Sequence, residues 1–272
     1  MRIIDSHAHL HLAAGAAETL LATMDRNGIA RAVVVAGGTI SPELLSVHFA
    51  RGGGVDFDVD NAGILARCQA TSGRLLPFYF ANPHRGDAAY RREGAAFRGL
   101  KLAPIVHGVA FADPRIDRLL EAAVVFGHPV YLHCLPRAGF EVIDVAQLAQ
   151  RHPRCAIILG HGGVGHGDFQ GIAQIVDTPN VSFEVSGTFT AAARVALKKL
   201  GSRRVLFGSE YPLQDPSVEL LKMTCLGATE EELAHMLHDN IAALLGEAVA
   251  PQADAVVRAQ QPSRAPTPHT LH

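Results

Sequence analysis

The stretch Arg2-Ile3-Ile4-Asp5-Ser6-His7-Ala8-His9, at the head of the chain, decides the fold. It opens as an apolar strand and ends in polar residues, the position at which alternating α/β folds build their first ligand-facing turn. A doubly wound dinucleotide fold requires a glycine-rich phosphate turn there, and no glycine stands between Asp5 and His9. Working outward, seven more apolar runs follow at residues 32–36, 75–81, 99–102, 130–134, 156–160, 181–185 and 205–208. Most are near-continuous in Val, Ile, Leu and Phe, as parallel strands covered on both faces should be. Amphipathic segments at 13–26, 64–71, 116–126 and 140–151 lie between them, stopped by Asn27-Gly28, Ser72-Gly73, Gly127 and His152-Pro153. Asp113-Pro114 and Asp215-Pro216 read as an N-cap followed by a first-turn proline. Eight strand-then-helix units within residues 1–246 match a (β/α)8 TIM barrel, in the α/β class. Residues 247–272 carry Pro251, Pro262, Pro266 and Pro268 among Ala, Gln, Ser and Thr, the composition of a disordered tail.

Composition excludes several function classes. The formal charge of −2 over 272 residues offers no field for nucleic acid or an anionic membrane surface. No apolar run reaches the roughly 18 residues of a spanning helix, and residues 1–7 lack the long apolar core of a secretory signal. A cytoplasmic protein is therefore expected. Cys68, Cys134, Cys155 and Cys225 are scattered with no Cys-x-x-Cys pair, so neither a disulfide framework nor a thiolate zinc site is indicated. The unusual component is histidine, with 15 residues against four tyrosines and no tryptophan.

Placed on the strands, four histidines become specific. Asp5, His7 and His9 alternate along the first strand and should share one face. His133 ends the fifth strand, His161 follows the sixth, and Glu210 follows the eighth in Gly208-Ser209-Glu210-Tyr211-Pro212. All lie at C-terminal strand ends, where barrels of this type build their active sites. A lone strand-end histidine is usually a hydrogen-bonded structural residue. A His-x-His pair joined by two more imidazoles and a carboxylate makes a plausible mononuclear site for a divalent ion, with nitrogen and oxygen donors suiting Zn2+ and tolerating Mn2+ or Fe2+.

These motifs resemble the amidohydrolase superfamily, and within it the amidohydrolase 2 group of metal-dependent decarboxylases, lactonases and hydrolases. The resemblance runs from Arg2 to Gly246. It is carried by Ile4-Asp5-Ser6-His7-Ala8-His9, Phe97-Arg98-Gly99-Leu100-Lys101-Leu102, Pro129-Val130-Tyr131-Leu132-His133, Leu159-Gly160-His161-Gly162-Gly163 and Val205-Leu206-Phe207-Gly208-Ser209-Glu210-Tyr211-Pro212, and by the closing helix 239–246. One departure stands out, since Glu210 occupies the place where the family pattern has Asp. The resemblance implies that His7, His9, His133 and Glu210 hold the metal, that Glu210 and His161 are catalytic, and that Asp5 supports the site by a structural hydrogen bond. It implies a hydrolase cleaving an amide, lactone or ester of a small molecule, with a non-oxidative decarboxylase as the alternative. A non-catalytic barrel with an altered site is a third, because of Glu210.

Lys101, Arg137, His107 and His166 are the candidate substrate contacts, Lys101 also being the residue that could bridge two metals if carbamylated. A decarboxylase needs a cation for the substrate carboxylate, and Lys101, Arg137 and Arg51 are available. The glycine-rich segment 51–57 is a candidate lid or an ordinary surface loop. By family analogy the chain forms a homodimer.

Overall fold

The structure, a computed structural model, describes residues 2–37, 40–51, 54–165 and 167–248. The element order is β1 (Ile4–Leu10), α1 (Ala16–Arg26), β2 (Arg31–Ala36), α2 (Pro42–Arg51), α3 (Asn61–Gln69), β3 (Leu75–Pro77), β4 (Tyr79–Ala81), α4 (Ala88–Glu93), β5 (Leu100–Leu102), α5 (Pro104–His107) and α6 (Pro114–Phe126). It continues with β6 (Val130–Leu132), α7 (Val142–Arg151), β7 (Ile157–Leu159), α8 (Phe169–Gln174), β8 (Val181–Glu184), α9 (Thr190–Leu200), β9 (Val205–Leu206) and α10 (Pro216–Thr224). A terminal helical run joins α11 (Glu230–Ala234), a π-turn (His235–Asp239) and α12 (Asn240–Leu244). His166, Gly52 and Gly53 of the candidate lid, and the tail from residue 249, lie outside the described residues.

Every strand pairing is parallel, in the orders β1-β2-β3 and β4-β5-β6-β7-β8-β9. The residues after β9 close the ring onto β1. Ser6 N–H donates to Phe207 O at 3.0 Å, His9 N–H to Tyr211 O at 2.7 Å, and Glu210 N–H to His7 O at 2.9 Å. The expected third strand, 75–81, is divided at Phe78. Phe78 N–H bonds Val34 O of β2, and Tyr79 N–H bonds Gly99 O beside β5, so the chain changes partner at this residue. The Phe78 ring takes the space above Gly99, where a Cβ would lie 2.4 Å from it.

Helix limits follow local chemistry. α1 starts at Ala16 rather than 13 because Gly15, at φ 76°, turns the chain into the helix. Asp113 and Asp215 cap α6 and α10 by accepting from Arg115 N–H and Ser217 N–H, each at 2.9 Å, and Gly127 closes α6 in the left-handed region at φ 67°. Strand alternation divides the core in two. Val33 and Val35 join Ile4, Phe78, Tyr131, Ile158 and Leu206 in an inner cluster that Ile241, Ala242 and Leu245 of the terminal run cover. Val34 and the neighbouring alanines instead pack against the helix layer. Each fully buried aliphatic side chain is worth about 1.5–3 kcal/mol relative to exposure. Among the described residues no helix is long and apolar enough to cross a membrane.

Candidate metal centre and active site

β1 places His7 and His9 together, their ring centroids 4.8 Å apart. The strict alternation expected for β1 does not hold throughout, because one extra residue is accommodated between Asp5 and Ala8 relative to β2. Asp5 consequently serves the backbone. Its carboxylate accepts from His7 N–H at 3.0 Å, from Ser209 N–H at 2.9 Å and from the Ser209 hydroxyl. Burial lifts this carboxyl to about 7, against the pull of those hydrogen bonds. It clamps the turn carrying Glu210 onto the strand carrying His7.

Glu210 and His161 both sit on left-handed turns, at φ 60° and 55°. Such strain costs roughly 1–2 kcal/mol per residue and collects at functional sites. The turns bring both side chains over the barrel mouth. Glu210 Oε2 lies 2.9 Å from His161 Nδ1 and 3.4 Å from His7 Nε2, and its Oε1 lies 3.3 Å from His9 Nε2. His133 follows β6, its Nε2 3.1 Å from His161 Nε2 and in contact with the Lys101 ammonium. Lys101 Nζ also stands 4.0 Å above the Tyr131 ring, which stacks on His7 with centroids 4.0 Å apart.

The electrostatics suit a cation. Burial, then the neighbouring Lys101 charge, holds the His7 and His133 imidazoles well below their ordinary value, so both present lone pairs. Burial opposes ionisation of Glu210, yet His161 and His7 keep its carboxyl well below the usual carboxylate range. Burial pulls His161 down while the Glu210 carboxylate more than compensates, leaving that imidazole above its ordinary value. Burial pushes Lys101 down to about 7, with Glu210 and Glu184 resisting. Both ring nitrogens of His7 are buried without a hydrogen-bond partner, a costly state for a polar group unless a ligand satisfies it. Ligand atoms of His7, His9 and Glu210 lie within 4.8 Å of one another, as do those of His7, His133 and His161. The donor set therefore fits a divalent ion.

The structure thus brings together His7, His9, His133, His161, Glu210 and Lys101. It does not bring His107 to them. His107 ends α5 with its ring buried on Phe57 at 4.9 Å and beside Phe80, and its carbonyl accepts from His84. Arg137 lies in the loop after β6, partly buried. A cleft of about 310 Å3 lined by His9, His11, Tyr211 and Pro212 opens beside the imidazoles. Another of about 340 Å3, between Phe189 and Leu221, has none of them in its walls.

Tyr131, Glu184, Ser186 and Ser209 are site residues the sequence reading passes over. Ser182, Glu184 and Ser186 alternate within an otherwise apolar strand, the same signal that singled out His7 and His9.

The sequence matches the amidohydrolase family over residues 4–246. The chain belongs to the amidohydrolase family. No match is found among curated proteins. Among solved structures, an uncharacterised TIM-barrel protein from Bordetella bronchiseptica superposes with a TM-score of 0.69 at 17% identity, covering 90% of this chain and 99% of that one. The 5-carboxyvanillate decarboxylase of Sphingomonas paucimobilis gives 0.67 at 15% identity, covering 91% and 99%. A Pseudomonas putida protein provisionally named 2-pyrone-4,6-dicarboxylic acid hydrolase gives 0.66 at 21%, covering 90% and 97%. A further 5-carboxyvanillate decarboxylase, from Novosphingobium aromaticivorans, was solved with manganese, at a TM-score of 0.64 and 14% identity, covering 90% and 96%. The chain shares its fold with proteins named for hydrolysis and for decarboxylation.

Proposed function

We propose that the protein is a metal-dependent hydrolase that opens an amide, lactone or ester bond of a small molecule. The observation that carries this reading is the Glu210 carboxylate, kept ionised although nearly buried, with one oxygen 2.9 Å from His161 Nδ1 and both oxygens facing the imidazoles of β1. His7, His9, His133 and Glu210 would hold one divalent ion, for which Zn2+ suits the nitrogen and oxygen donors, and Mn2+ and Fe2+ are compatible. Such an ion, when bound, polarises a substrate oxygen and brings the pKa of water near neutrality. Glu210 then accepts the proton of the attacking water and returns it to the leaving group. His161, the second partner of that carboxylate, steadies the charge that develops on the substrate oxygen. The wall made by Lys101 supplies a cation in the same space.

Lys101 also supports a second reading. A buried ammonium beside His133 could hold a substrate carboxylate for non-oxidative decarboxylation, and several structural relatives are named as decarboxylases. Metal analysis, then product analysis, tests both. Reconstituted protein with far less than one ion per chain would overturn the metal reading. Ring opening or ester cleavage without carbon dioxide supports hydrolysis, whereas stoichiometric carbon dioxide from a carboxylated aromatic acid supports the second reading. Glu210→Gln should abolish turnover even where metal is retained, and unchanged activity would refute the role of Glu210. Glu210→Asp restores the family residue, and a higher rate would mark the glutamate as a loss.

A further inference from the structure

The cleft of about 310 Å3 beside the imidazoles shares a wall with the candidate metal centre. His9 lines it, and the same imidazole stands 3.3 Å from Glu210 Oε1. A group lying in the cleft is therefore next to the reacting atoms, and no step above says what that group is. The walls are tied down. Tyr211 pairs with Ala8 as a parallel bridge, its carbonyl accepts from His9 N–H at 2.7 Å, and its own N–H donates to Ser209 Oγ at 3.1 Å. The chain turns through Gly15, at φ 76°, into α1, and Ala16 packs against the core. A Cβ at Gly37 would stand 2.9 Å from His9 Cβ and 3.2 Å from His11 Nε2, so the missing side chain lets both imidazoles lie against the end of β2.

Wall chemistry selects the occupant. None of the described residues lining the cleft is Asp, Glu, Lys or Arg, and Lys101 is not among them. Ala13, Ala14, Ala16 and Pro212 offer methyl and methylene surface instead. A charge placed there loses hydration and meets no ion of opposite sign. The positive end of α1 would draw an anion, but Glu18 already stands in its first turn. The volume is about twice that of the roughly 150 Å3 cavity known to accept benzene, room for one ring and a few further atoms.

We propose that the substrate carries a compact, uncharged apolar group of about ring size on one side of its scissile bond, and that the cleft between residues 13–16 and Tyr211 binds it. The scissile bond rests on the proposed hydrolase; the preference of the cleft does not. The test begins with metal-free protein labelled with 13C at the alanine methyls. Millimolar benzyl alcohol should shift the Ala13, Ala14 and Ala16 methyls through the ring current and leave those of buried Ala122 and Ala149 in place. No shift at the three cleft methyls, or a shift as large with benzoate, would overturn the proposal. Calorimetry on Zn2+-loaded protein then compares two metal-binding acids. Benzohydroxamate should bind about 10-fold more tightly than acetohydroxamate, the return on burying one face of a ring. Ala14→Trp, which fills the cleft, should erase that advantage and the benzyl alcohol shifts, with Ala13→Phe in its place if that variant does not fold. Equal affinity for the two hydroxamates in wild type, or an advantage kept in the filled variant, would refute the assignment. Failure of acetohydroxamate to bind in a Zn2+-dependent way would sink the hydrolase reading and leave the benzyl alcohol result standing.

Discussion

Gly208→Ala puts one methyl group against a fully buried carboxylate held by four donors, that of Glu184. The new Cβ would lie 2.4 Å from Glu184 Oε1, 2.9 Å from its Cδ and 3.2 Å from Ser6 Oγ. Gly208 does not have a positive φ, so backbone strain is not at issue. A clash with the free end of an exposed glutamate would be relieved cheaply. Here the end is fully buried and pinned by four donors, so it can retreat by about 1 Å only by stretching the 2.6 Å bond from Ser186 N–H. Overpacking costs about 1–3 kcal/mol, and weakening a buried hydrogen bond to a charged group adds about 1.5–3 kcal/mol. The expected total is about 2.5–6 kcal/mol, or a fall in Tm of roughly 5–24 °C for a domain of this size. Scanning calorimetry of the metal-free protein measures it. Gly73→Ala serves as the control, since Gly73 has φ 79° and nothing within 4 Å, so only a left-handed penalty of about 1–2 kcal/mol applies. If Gly208→Ala loses less than Gly73→Ala, Glu184 is not held as described.

Gly160→Ala should be at least as damaging, because its Cβ would meet the Tyr131 ring at 2.4 Å and a buried ring cannot bend aside; circular dichroism melts check it. Saturating Zn2+ or Mn2+ should raise Tm and a chelator reverse it, by about 2.7 kcal/mol of stability at a hundred times Kd; no shift with either ion would count against the metal centre. Burial, with the Arg98 charge, pushes His128 down to about 4 from an ordinary 6.5. The unfolded state therefore binds the extra proton first, so stability is present above about 6.5 and falls as pH drops toward 4. His128→Gln should flatten that limb, by at most about 1.4 kcal/mol per pH unit and less because the ring is only half buried. Cys225 is exposed and should react with a thiol reagent in the native protein, whereas buried Cys68 and Cys155, pushed up to about 12, should react only after unfolding.

Much of the barrel was legible because it depends on short-range signals. The apolar runs became strands, Asp113 and Asp215 became caps, and the strand-end rule brought His7, His9, His133, His161 and Glu210 to one place. What escaped depends on distant partners. The break at Phe78 arises because Gly99 leaves space for its ring, and no local pattern near residue 78 encodes that. The partner of Asp5 also escaped, since the extra residue in β1 is a matter of pairing with β2 and Ser209 stands 204 positions along the chain. Glu184 alternates with Ser182 and Ser186 in an apolar run, but nothing local shows that Tyr131, from another strand, reaches it. His107 looked available in a loop, yet a helical turn buries it against Phe57.

The closure of the ring by the residues after β9 has a consequence for biosynthesis. His9 and Glu210 are separated by 201 positions in the chain yet meet across one site. At roughly 5–20 residues per second, a ribosome needs on the order of 10–40 s to travel that distance. During that interval the first strand waits with the two imidazoles proposed to hold the metal, His7 and His9, and no carboxylate to complete the set. Any chain released before Glu210 emerges lacks the clasp and the acid together. Stoichiometric metal uptake would therefore report that translation has finished and the barrel has shut, making the ion a marker of completed molecules.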